Sequence, residues 1–166
     1  MRLTRLFVTV LLVGCLRPAS GTWGSLAALP MAWGLHAAGG PALLALAAAL
    51  VYVAGLRAVA LETAGDPDPD RSEIVIDEVV GQWIALMPVS IGAAVTGAPV
   101  LALWPGIVVA FFGFRFFDIY KWWPANLFDR RKDATGVMAD DVFAGLWAAA
   151  AVAALAALAH LVLLPG

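Results

Sequence analysis

The stretch Ile74-Val75-Ile76-Asp77-Glu78-Val79-Val80-Gly81-Gln82-Trp83 puts two adjacent carboxylates at the threshold of an apolar run. From Val79 to Phe114 no residue carries a charge. Pro18 to Leu56 and Val142 to Gly166 are equally free of Asp, Glu, Lys and Arg. The first two of these runs are too long for one bilayer crossing, and each is interrupted by turn residues, Gly39-Gly40-Pro41 and Thr96-Gly97-Ala98-Pro99. The expectation is a hairpin, a polar loop, a second hairpin, a second polar loop and a last helix. Together these make an all-α, polytopic membrane bundle of four to five membrane helices with its polar loops on one face.

Composition agrees. At 166 residues, 63% hydrophobic and 13% charged, the chain reads as one membrane-embedded domain over 1–166 rather than a water-soluble one. Alanine-rich helices with glycines favour close approach of helices in lipid. A homo-oligomer is left open, and nothing points to nucleic acid. Both hairpins return their charged ends to the same side, whereas the opposite turns hold no Lys or Arg. The positive-inside rule makes the charged face, with Arg71, Arg115, Lys121, Arg130, Arg131 and Lys132, cytoplasmic. His36 and His160 fall toward the other face, so histidine chemistry is not expected at the charged site.

Arg2 and Arg5 ahead of Leu6–Cys15 imitate a signal peptide, and Leu12-Val13-Gly14-Cys15 imitates a lipoprotein cleavage box. That apolar core is short for a crossing, so 1–16 is expected to be a short interfacial helix with Cys15 as a small apolar residue. One cysteine excludes a disulfide framework and a thiolate metal site.

The polar segments 62–78 and 115–141 carry the candidate chemistry. Gly21-Thr22-Trp23-Gly24-Ser25 leads into an apolar helix, a start that can cap itself or receive a phosphate. Asp66-Pro67-Asp68-Pro69-Asp70 is read as a solvated loop, its prolines favouring an extended linker. Asp77 and Glu78 adjoin the membrane helix directly. Neighbours on a helix point about 100° apart, so one of them is expected to face the bundle and the other to cap or support it. Arg115, Asp118 and Lys121 recur every third residue and share a helical face. Trp122-Trp123-Pro124 ends that helix at the interface, and Asp129-Arg130-Arg131-Lys132 adds positive charge. Asp140-Asp141 opens the final apolar segment, where the helix dipole offsets one acid but not a pair. A carboxylate cluster without Cys or His suits a hard cation, Mg²⁺ above all.

Taken in series, Gly21–Ser25, Ile76-Asp77-Glu78-Val79-Val80-Gly81, Phe114-Arg115-Phe116-Phe117-Asp118-Ile119 with Lys121, Asp129-Arg130-Arg131, and Gly136-Val137-Met138 with Asp140-Asp141 and Ala144-Gly145 resemble the bacterial phosphatidylglycerophosphatase A family. The resemblance runs in order from about Gly14 to Gly145. It departs at Ser20 and Trp122, where the family has proline, and at Ala134-Thr135, where it has a glycine pair. It implies a Mg²⁺-dependent, multi-pass enzyme of the bacterial inner membrane. Such an enzyme removes the terminal phosphate of phosphatidylglycerophosphate, leaving phosphatidylglycerol.

On that footing Glu78, Asp118, Asp140 and Asp141 are expected to hold metal, with Asp129 as a further ligand and Asp77 in support. Thr22, Ser25, Arg115, Lys121 and Arg130 are expected to bind the phosphate. Two other lipid enzymes fit less well. A histidine-nucleophile phosphatase needs a histidine at the site, and the spaced aspartate signature of a CDP-alcohol phosphatidyltransferase is absent. A small transporter or a scaffold subunit is the remaining alternative, although transporters gather their ionisable residues near mid-membrane.

Overall fold

The computed structural model describes residues 2–65 and 71–163, and among these every regular element is helical. The elements are α1 (Leu3–Val8), α2 (Ser20–Glu62), α3 (Ile76–Ala85), α4 (Met87–Thr96), α5 (Trp104–Tyr120), α6 (Ala125–Asp129) and α7 (Ala134–Leu163), with short 3₁₀ turns at Val13–Cys15 and Val100–Leu103. Four spans are long and apolar enough to cross a membrane: Ser20–Glu62, Ile76–Thr96, Val100–Tyr120 and Ala134–Val162. The chain is a multi-pass membrane protein.

The first span is the expected hairpin. Gly39 (φ −160°, ψ 20°) and Gly40 (φ 63°, ψ −158°) leave helical geometry, and Pro41 follows as a first-turn residue of the second arm. Both ends of α2 therefore reach the start of α3: Gly24 lies against Val75, and Gly55 against Ile76. The second hairpin turns at Gly97, which caps α4 in the left-handed region at φ 69°. Within its descending limb, Pro88 sits in the first turn of α4 and separates that helix from α3.

The core follows from this folding. Ala28, Ala32, Leu44, Ala48, Val79, Trp83, Phe114, Ala144 and Ala148 bury one another at the centre of the bundle. Trp83 donates its indole N–H to the Ala28 carbonyl at 3.0 Å, which ties α3 to the first arm of α2. Large apolar side chains such as Leu50, Phe112 and Leu161 stay exposed, as lipid-facing residues must.

Three expectations need correction. The N-terminal segment is not one apolar helix over 1–16. Helix α1 covers only six residues, after which Val10, Leu11 and Leu12 take positive φ and turn the chain back across the charged face. There Val75 N–H donates to the Val8 carbonyl at 2.9 Å, and Thr4 pairs with Glu62. Segment 115–141 is helical to Tyr120 as expected, but the loop after it is shorter than expected, because α6 forms over Ala125–Asp129 and α7 already begins at Ala134. Finally, Asp140-Asp141 does not begin the last helix. Asp133 caps that helix by accepting from Gly136 N–H at 2.8 Å, so the aspartate pair lies in its second turn. The 66–70 connector, Asp68 included, lies outside the described residues.

Candidate active site

Helix α3 carries Asp77 and Glu78 in its first turn, at the depth where both arms of α2 end. Glycine makes the close approach workable. A Cβ on Gly21 would sit 2.3 Å from Glu78 Oε1 and 2.9 Å from Arg115 Nη1, so only hydrogen fits between the two helices. On the other flank, a Cβ on Gly81 would lie 2.6 Å from the Asp141 carbonyl, and one on Gly145 would lie 2.4 Å from the Gly81 carbonyl. Helices α3 and α7 thus meet backbone to backbone, which brings Asp141 beside the acidic pair.

The result is a polar cavity of about 360 Å³, walled in part by Ser20, Gly21, Asp77, Glu78, Arg115, Asp118, Lys121, Asp140 and Asp141. Asp77, Glu78 and Asp141 each turn one carboxylate oxygen inward, all within 4.8 Å of one another. Asp77 and Asp141 are buried, and Glu78 Oε2 is buried without a hydrogen-bond partner. Three carboxylates so close and so dry repel strongly unless a cation or protons intervene. The donor set is oxygen throughout, so these residues fit a hard metal ion. One expectation changes here: both members of the Asp77-Glu78 pair face the cluster, instead of one facing it and the other capping.

Asp118 and Asp140 form a second group, already paired with cations. Arg115 Nη1 lies 2.6 Å from Asp118 Oδ2, and Lys121 Nζ donates to Asp118 Oδ1 at 3.2 Å. Lys121 also hydrogen-bonds Asp140 and stands 4.0 Å from Asp141 and 3.6 Å from Asp129. Burial alone would lower the Lys121 pKa, but Asp141, Asp140 and Asp118 together raise it above its ordinary value. The ammonium is therefore charged at neutral pH. Its backbone takes a left-handed conformation (φ 48°, ψ 58°), which ends α5 while the side chain reaches back to the acids.

The other expected residues are not brought to the cavity. Asp129 is half-exposed, Arg130 is exposed on the surface, and Thr22 is half-buried outside the lining. Ser25 is fully buried one turn below, where its hydroxyl donates to the Gly21 carbonyl at 2.9 Å. Ser20, Gly21, Arg71 and Ser72 line the cavity in their place. Arg71 was legible only as a charge on the loop, because its approach depends on how that loop returns to α3.

A family model described as Phosphatidylglycerophosphatase A matches residues 6–156. The chain belongs to the phosphatidylglycerophosphatase A family. It is 36% identical over 143 residues to the phosphatidylglycerophosphatase A of Haemophilus influenzae, covering 86% of this chain and 82% of that one. With the Escherichia coli protein of the same name it shares 34% over 128 residues, 76% of this chain and 67% of the relative. A Bacteroides thetaiotaomicron protein, provisionally named a phosphatidylinositol-3-phosphatase, is 40% identical over 111 residues, 64% and 63% of the two chains. No solved structure matches the chain.

Proposed function

We propose that this family member hydrolyses the terminal phosphomonoester of phosphatidylglycerophosphate, yielding phosphatidylglycerol and inorganic phosphate. The reaction takes place with Mg²⁺ at the cytoplasmic face of the bacterial inner membrane. One observation carries the reading: buried Asp77 and Asp141 and half-buried Glu78 open into the same membrane-edge cavity as Arg115 and Lys121. Anionic ligands for a cation stand beside cations for an anion, as a phosphate ester requires.

Asp77, Glu78 and Asp141 would hold the ion. When bound, Mg²⁺ supplies Lewis-acid polarisation of the phosphoryl group and eases deprotonation of water. Lys121, held by Asp118 and Asp140, faces the negative charge that grows on the phosphoryl oxygens. Arg115 does the same from the α5 wall, oriented by Asp118. The first turn of α2, at Ser20-Gly21, offers backbone N–H groups to the phosphate. One cavity carboxylate would take a proton from the attacking water as the water oxygen bonds to phosphorus, and that proton would pass to the glycerol oxygen as its bond to phosphorus breaks. The acyl chains stay in the bilayer, since the cavity is at the end of the bundle. Cytoplasmic placement is supported by the distribution of positive charge, because the turns at Gly39-Gly40 and Gly97 carry none.

The test is release of inorganic phosphate from phosphatidylglycerophosphate micelles by the purified chain in detergent. Turnover is expected with Mg²⁺ and is expected to vanish in excess chelator. Full turnover in chelator, by protein shown to be metal-free, would sink the metal reading. Preference for a phosphoinositide phosphate would overturn the substrate.

A further inference from the structure

Gln82 is fully buried, and neither its Nε2 nor its Oε1 has a hydrogen-bond partner. A buried amide that makes neither of its hydrogen bonds loses its hydration without return, so an unanswered glutamine in a membrane bundle calls for a cause. It stands one helical turn below Glu78 on α3, a spacing that stacks the two side chains on one face. Glu78 Oε2 is likewise buried and unanswered, and so is Arg115 Nε. Arg115 faces the same side of α3, because Gly21 lies against both Glu78 Oε1 and the Arg115 guanidinium. The neighbouring Phe114 and Gly81 are in turn packed together. The unanswered atoms are complementary: two acceptors, Glu78 Oε2 and Gln82 Oε1, and two donors, Gln82 Nε2 and Arg115 Nε. Arg115 Nη1 stands 2.6 Å from Asp118 Oδ2 as an ion pair without making a hydrogen bond to it.

We infer that Gln82 is a positioning residue that joins the metal-binding and phosphate-binding halves of the site. Neither bond is made in the structure; a turn of the amide about its last bond would let Nε2–H donate to Glu78 Oε2, leaving Oε1 of that glutamate directed at the cavity, and let the glutamine Oε1 accept from Arg115 Nε–H. A partner that holds the far oxygen of a ligating carboxylate fixes its orientation and favours its ionised form. A neutral amide does this for an acid and a guanidinium together, where Glu would add repulsion and Leu would answer neither. The inference rests on the function proposed above and adds a residue to it.

The test compares wild type with Gln82→Leu and Gln82→Glu, full-length in detergent, by three readouts. These are thermal unfolding, Mn²⁺ binding by metal-free protein followed by electron paramagnetic resonance, and phosphate release at saturating Mg²⁺. Mn²⁺ serves as the probe because it shares the oxygen preference of Mg²⁺. Gln82→Leu leaves Glu78 Oε2 and Arg115 Nε without their partner, which is expected to lower the unfolding temperature only modestly because leucine fills the same space. It should nevertheless bind Mn²⁺ about 10- to 100-fold more weakly and lose about as much in kcat. Gln82→Glu keeps the shape without the donor and is expected to lose as much, so it decides the matter should the leucine variant fail to fold. Mn²⁺ binding and kcat within about twofold of wild type in a folded variant would make Gln82 mere filling and overturn the inference. A wild-type protein that binds no Mn²⁺ and releases no phosphate would overturn the function itself, an outcome visible before any variant is made.

Discussion

Asp141 is buried at 3% exposure and shares the cavity with two other carboxylates, so its charge has a use only with a cation beside it. Asp141→Asn keeps the shape and removes a charged ligand. The rate should fall at least about a hundredfold, equivalent to about 2.7 kcal/mol of transition-state stabilisation, with insertion unchanged. Steady-state kinetics on protein matched for folding would check this, and loss of folding instead of rate would reassign Asp141 to structure. Gly21 makes a sharper test, since its role is space. Gly21→Ala puts a methyl 2.3 Å from Glu78 Oε1, so Glu78 or Arg115 must move and activity should fall by about tenfold or more. A methyl on Gly34 would meet nothing within 4 Å, and Gly34→Ala should leave activity alone. Equal losses in these two alanine variants would mean that helix flexibility, not the gap beside Glu78, is what glycine supplies. At this scale the acidic residues were legible because charge is conspicuous in an apolar sequence. Arg71 was not, because a cation in a loop looks the same whether the loop turns in or out, and Arg130 lies on the surface outside the cavity lining.

Helices α3 and α7 approach so closely only because Gly81 and Gly145 face each other. That approach carries Asp141 to Asp77 and Glu78. Gly145→Ala would drive a methyl to 2.4 Å from the Gly81 carbonyl, and backbone cannot yield as a flexible side chain can. A destabilisation of about 1–3 kcal/mol is expected, with a loss of activity, read by thermal unfolding in detergent beside phosphate release. Gly113→Ala is the matched comparison, because its methyl would meet Ala148 at an ordinary 3.6 Å. If both variants unfold alike, the α3–α7 contact is not the constraint. The ends of elements were harder to read than their existence. Asp140-Asp141 looked like a helix start because the apolar run begins after it. The backbone instead takes its cap from Asp133, so α7 begins before the apolar run does.

Among the described residues, two hairpins and a final helix set the charged connectors at one end of the bundle. If that end is cytoplasmic, a cysteine at Lys132 in a Cys15→Ser background should resist a membrane-impermeant thiol reagent in intact cells and react after lysis. A cysteine at Gly97 should react already in intact cells. Periplasmic labelling at Lys132 would invert the protein and detach it from a cytoplasmic lipid substrate.

The sequence by itself determined the class, the hairpin turns and the acid-rich end. Long uncharged runs admit few folds in lipid, and Gly39-Gly40-Pro41 and Gly97-Ala98-Pro99 combine a glycine free to take positive φ with a proline that restarts the chain. Which acids become a cluster and which become partners of cations was decided only by tertiary structure. Asp77, Glu78 and Asp141 converge, whereas Asp118 and Asp140 are engaged by Arg115 and Lys121. The difference arises from helix rotation and from gaps no wider than a hydrogen atom at Gly21, Gly81 and Gly145, and linear spacing records neither.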